Sequence, residues 1–115
     1  MPSSLTSIES NAFRECESLE NITLAEGLTS IGDYAFASCT TLTNITLPSS
    51  VTFIGKGVFY NCAYLNSVRF SNTSGWYITE DETATSGTGI TVSNSSTNAT
   101  NLKTTYRSYY WKRNV

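Results

Sequence analysis

The segment Leu28 to Leu47, LTSIGDYAFASCTTLTNITL, occurs three times in this chain. An earlier copy runs from Leu5 to Leu24 and a later one from Val51 to Phe70, each displaced by 23 residues with no insertion. Eight apolar columns hold register through all three copies. Among them are Ile8, Ile31 and Ile54; Phe13, Phe36 and Phe59; Cys16, Cys39 and Cys62; and Leu19, Leu42 and Leu65. A fixed period of about 20 to 50 residues marks a stacked-repeat architecture. The spacing therefore predicts a solenoid in which each copy is one rung and like residues lie over like.

Within a rung, Thr43 to Leu47 alternates, so Ile45 and Leu47 face one side and Asn44 and Thr46 the other. Pro48 cannot donate to a ladder and ends the strand. Val51 to Ile54 reads as a second, shorter extended stretch. Ala35, Phe36 and Cys39 fall at the spacing of one face of a short helical turn, with Asp33 placed to cap it. Rungs pair as parallel strands about 4.8 Å apart. One rung offers about eight apolar side chains, which only just offset an ordering cost of about 1–2 kcal/mol per residue. Stability must then come from neighbouring rungs.

The string A-F-x-x-C-x-x-L-x-x-I-x-L-P, repeated over residues 1–70, resembles the BspA-type leucine-rich repeat. That resemblance implies a right-handed, leucine-rich-repeat-like solenoid with a parallel β-sheet and short helical turns. It also implies a surface or secreted protein that adheres by binding a host or neighbouring-cell protein or glycan. Met1-Pro2-Ser3-Ser4-Leu5 aligns with Leu47-Pro48-Ser49-Ser50-Val51, so the chain opens inside a repeat. A terminal rung needs a polar cap. The alignment favours a piece of a longer array over a native start that reuses the column.

After Phe70 the period stops, and residues 71–115 read as a C-terminal cap. Strands are expected at Gly75–Thr79, Gly89–Ser93 and Tyr109–Arg113, and a helix at Asn98–Tyr106. Trp76, Tyr109, Tyr110 and Trp111 read as cap packing over the third rung, with sugar stacking as the rival reading. Lys103, Arg107, Lys112 and Arg113 make the C-terminal end basic, which reads as a solvated surface or as contact with an anionic partner.

The formal charge of −2 and the small basic cluster argue against nucleic acid, and no apolar run approaches a membrane span of about 18 residues. Without histidine, no Ser-His-Asp or Cys-His arrangement can be built, so the chain reads as non-enzymatic and free of cofactors. The cysteines follow the repeat period rather than C-x-x-C spacing. They read as buried, reduced thiols, with a disulfide or a metal as alternatives. Glu80-Asp81-Glu82 reads as a solvated turn. The sequons at Asn21 and Asn44 recur because the repeat does. The binding residues expected are the outward positions of the main strands: Asn21, Thr23, Asn44, Thr46, Ser67 and Arg69. The rival reading is a purely structural cap or stalk end with no ligand of its own.

Overall fold

A computed structural model describes residues 5–105 and 108–113. The three copies stack with the 23-residue displacement on both sides of the repeat. On one side the short strands β1 (Ser7–Ile8), β2 (Ser30–Ile31) and β4 (Phe53–Ile54) pair in parallel, Ile8 opposite Ile31 and Ile31 opposite Ile54. On the other, β3 (Asn44–Leu47) pairs in parallel with β5 (Ser67–Phe70), Asn44 opposite Ser67 and Thr46 opposite Arg69. The first copy joins this sheet through a single bridge, Thr23 to Thr46.

Between the two sheets the expected helical turn does not form. The backbone over residues 32–38 and its counterparts runs as successive tight turns instead. Asn11, Tyr34 and Gly57 share one column and all have φ near +60°, as do Glu15, Ser38 and Asn61 in another. Along the segment between these two columns, every second amide bonds to the next copy. Asn11, Phe13 and Glu15 donate to the carbonyls of Asp33, Ala35 and Ala37 at 2.7–3.0 Å. Tyr34, Phe36 and Ser38 donate likewise to Lys56, Val58 and Tyr60. An α-helix would spend those amides inside its own copy, so bonding between copies displaces it. Asp33 follows the same rule: its Oδ1 accepts from the Lys56 amide of the next copy, not from its own.

The apolar columns fill the space enclosed by these three lines of hydrogen bonds. Phe13 stacks on Phe36 with centroids 5.2 Å apart, and Phe36 on Phe59 at 5.8 Å, with rings nearly parallel. Columns in the second and third copies are fully buried, whereas Phe13, Cys16, Leu19 and Ile22 of the first are half-buried. Side chains reinforce the register. Thr41 Oγ1 donates to the carbonyls of Glu17 and Leu19, and Ser50 Oγ to that of Leu28.

After the third copy the chain turns back over it. Strands β6 (Trp76–Thr79), β7 (Thr88–Gly89) and β8 (Tyr110–Arg113) extend the short-strand sheet. β8 pairs antiparallel with β4, Ile54 opposite Trp111, and with β6. The expected strand at Gly89–Ser93 is confined to its first residue: Ile90 still bonds the Trp76 carbonyl of β6, and the chain then leaves the sheet. The helix starts earlier than the Asn98 expected. α1 spans Ser95–Thr100 and continues as a π-helical turn over Asn101–Thr105. Asn94, not a later residue, caps it, its Oδ1 accepting from the amides of Ser96 and Thr97. Tyr106 and Arg107 lie outside the described residues, as do Met1 to Ser4.

α1 lies over β5 and is pinned there by Asn98, which is 1% exposed. Its Nδ2 donates to the Val68 carbonyl at 2.9 Å and to the Val92 carbonyl at 2.7 Å. One side-chain amide thus satisfies a backbone carbonyl of β5.

Candidate functional site

Burial of Ile45, Leu47, Val68 and Phe70 turns the intervening residues of β3 and β5 outward. Asn44, Thr46 and Arg69 are exposed, Ser67 is half-buried, and Asn21 and Thr23 of the first copy are exposed beside them. Pairing lines up Thr23, Thr46 and Arg69 in one row and Asn44 and Ser67 in another.

Two clefts adjoin this face, and Thr46 lines both. The first, of about 450 Å³, lies between the third copy and the cap, lined by Thr46, Arg69, Ser71, Thr73, Ser93, Ser95 and Asn98 with Phe70 and Val92. The second, of about 480 Å³, is lined by Asn21, Thr23, Asn44, Thr46, Glu26, Pro48 and Ser71 with Ile22 and Leu24. Five of the six expected residues line one or both clefts. Ser67 lines neither.

The charges are segregated. Arg69 is the charged residue of the first cleft and Glu26 that of the second. Glu26 is already engaged, its carboxylate accepting from the Ser49 amide and hydroxyl at 3.0–3.3 Å. The cap-side residues Ser93, Ser95 and Asn98 have no periodic signature. Asn98 stood in the sequence as the start of an expected helix, and nothing in its neighbours marked it as buried.

The other candidates fall into structural roles. Trp76, Tyr110 and Trp111 are buried, which removes them as sugar-stacking platforms. Trp76 meets Phe70 edge-on at 4.9 Å, and Trp111 stacks on the same ring at 6.0 Å. Lys112 Nζ donates to the carbonyls of Glu82 and Ala84, and Arg113 Nε to that of Ser74. Asp81 closes its turn by accepting from the Thr83 amide and hydroxyl, bonds that hold its carboxyl below the usual range.

All three cysteines are free thiols. The Sγ atoms of Cys39 and Cys62 each donate to the carbonyl of the preceding copy's phenylalanine, Phe13 or Phe36, at 3.0–3.1 Å. Burial pushes the Cys39 thiol up and the Cys62 thiol up to about 11, so neither is primed as a nucleophile. No group of three or more His, Cys, Asp or Glu able to hold a metal occurs among the described residues. No helix there is long and apolar enough to cross a membrane.

Residues 1–109 match the family described as "BspA type Leucine rich repeat region (6 copies)". The chain belongs to the BspA-type leucine-rich repeat family. Among solved structures, a leucine-rich repeat protein of T. pallidum is 43% identical to this chain, with a TM-score of 0.58. The match covers 59% of this BspA-type chain and 32% of the T. pallidum one, so this chain spans about a third of that protein's length. No curated protein sequence matches it. Membership in this repeat family suggests a protein-interaction module, and the family is generally non-enzymatic.

Proposed function

We propose that the chain is a non-enzymatic recognition module of a surface-exposed or secreted protein, serving adhesion by binding a host or neighbouring-cell protein or glycan. Asn21, Thr23, Asn44, Thr46, Ser67 and Arg69 form the recognition face. The observation that supports this is the polar outer face of β3 and β5, where the Thr46 and Arg69 side chains are exposed and open onto two clefts. A rigid, register-locked sheet presents such groups at low entropic cost, which favours binding. In this reading the copies wind as a right-handed solenoid, residues 1–70 being the repeats and 71–115 the cap.

The test is a binding screen of the full chain against surface proteins and glycans, repeated with Asn44→Ala/Thr46→Ala/Arg69→Ala. We expect the triple variant to lose at least tenfold in affinity for any ligand the wild type takes. Equal binding to every ligand would remove the assignment of this face.

A second reading, a purely structural cap, is favoured by the pairing of β8 with β4 and the seating of α1 on β5. It predicts that deleting 71–115 exposes both strand edges and causes aggregation. A truncated protein that stays monomeric and folded would reject it.

A further inference from the structure

We infer that the cleft between the third copy and the cap is a binding site for a carboxylated saccharide, held by Arg69 and the hydroxyls around it. This rests on the recognition reading above and specifies its ligand class. The cleft, at about 450 Å³, falls within the range of about 300–1,000 Å³ of small-molecule sites. Its lining carries one cation, Arg69, and no carboxylate. A guanidinium presents a planar fork that matches a carboxylate in bidentate fashion.

The rest of the lining fits a polyol. Thr46, Ser71, Thr73, Ser93 and Ser95 supply neutral hydroxyls, each able to donate and to accept. They come from β3, from the loop after β5 and from the segment that leads into α1. Phe70 and Val92 add apolar surface for a sugar's C–H face. Asn98 also lines the cleft, and its Oδ1 is buried without a hydrogen-bond partner among the described residues. Its amide nitrogen is already committed to the Val68 and Val92 carbonyls, so the oxygen lacks a donor. A buried acceptor of this kind is costly to leave bare, and a saccharide hydroxyl would supply the donor on a small shift of the wall that exposes the oxygen. An acidic peptide fits less well. An extended strand would pair along the outer edge of β5, where the Val68 carbonyl is taken and α1 is seated.

The experiment is an NMR titration of the full chain at fixed ionic strength with D-glucuronate, N-acetylneuraminate, D-glucose, sulfate and a short poly-glutamate peptide. We expect saturable amide shifts at Arg69, Ser71, Ser93 and Ser95 with one or both sugar acids, and the two distinguish uronic from sialic recognition. D-glucose and sulfate should bind at least tenfold more weakly. Arg69→Gln should weaken the sugar acids at least tenfold and leave D-glucose unchanged, its dispersed spectrum verifying the fold. Absence of saturation, equal binding of glucose or sulfate, tighter binding of the peptide, or an unaffected Arg69→Gln would each overturn the inference. If the sugar acids fail while some ligand still binds in a manner sensitive to the triple variant, recognition by the strand face stands and only the ligand class falls.

Discussion

Asn98 is the residue on which the attachment of the cap to β5 most directly depends, and its substitutions separate cleanly. Removing the amide in Asn98→Ala breaks two hydrogen bonds and strips the Val68 and Val92 carbonyls of their donor. At about 0.5–1.5 kcal/mol per bond, plus part of the cost of burying bare carbonyls, Asn98→Ala should lose about 2–4 kcal/mol. Asn98→Asp is nearly isosteric, yet it turns the donor nitrogen into an oxygen facing two carbonyl oxygens at a position 1% exposed. An ionised carboxylate there is penalised by several kcal/mol, so at pH 7 Asn98→Asp should be less stable than Asn98→Ala. The pH dependence has a definite sign. Burial raises the folded-state value of the new carboxyl above the unfolded value of about 3.9. Relative to wild type, its stability is fully present below that unfolded value and is lost as pH rises through the folded one. Urea unfolding of wild type and both variants between pH 4 and pH 7 measures this. If Asn98→Asp matches or exceeds Asn98→Ala at pH 7, or if its deficit is flat with pH, the amide nitrogen is not the donor we describe.

Phe36→Ala should cost about 3–5 kcal/mol, as for a fully buried aromatic, and at least 1 kcal/mol more than Phe13→Ala, which removes a half-buried ring with one stacking neighbour; denaturant midpoints decide it. Gly57→Ala should cost about 1–3 kcal/mol in thermal unfolding, because φ is +66° and an added Cβ would meet the Tyr34 ring. Thiol counting should find three free thiols after denaturation without reductant, and in the folded chain Cys16 should react first. Since the Cys62 value rises from 9.0 to about 11 on folding, its contribution is intact below pH 9 and is lost at about 1.4 kcal/mol per pH unit up to pH 11. Cys62→Ala should flatten that part of the stability profile, and an unchanged slope would show that the thiol is not responsible.

The register was legible because eight columns repeat without insertion, so Thr46 opposite Arg69 and the phenylalanine stack follow from counting alone. Strand alternation likewise placed Asn44, Thr46 and Arg69 on the outer face. The turn segment was misread for a physical reason. The spacing of Ala35, Phe36 and Cys39 suits one face of a helix, but the same side chains are buried when Tyr34 and Ser38, four residues apart, adopt φ near +60°. Asparagine at two of these positions, Asn11 and Asn61, tolerates that conformation, whereas Tyr34 and Glu15 give no such hint. The segment after Phe70 has no period, so its pairings cannot be counted from the repeat, and β8 meets β4 and β6 from 31 or more positions away. Asn98 reaches the Val68 carbonyl from 30 positions away, which is why it went unrecognised as a buried bridge.

The alternating amides that tie each copy to the next carry an implication for how such a chain can vary. Because Asn11, Phe13 and Glu15 meet partners at fixed offsets in the following copy, a one-residue insertion in that segment would mispair it with the neighbours on either side. Length change is therefore quantised. Evolution or an engineer can duplicate or delete a whole unit at little structural penalty, while single-codon slips between Gly32 and Cys39 should be selected out far more strongly than substitutions at the same sites.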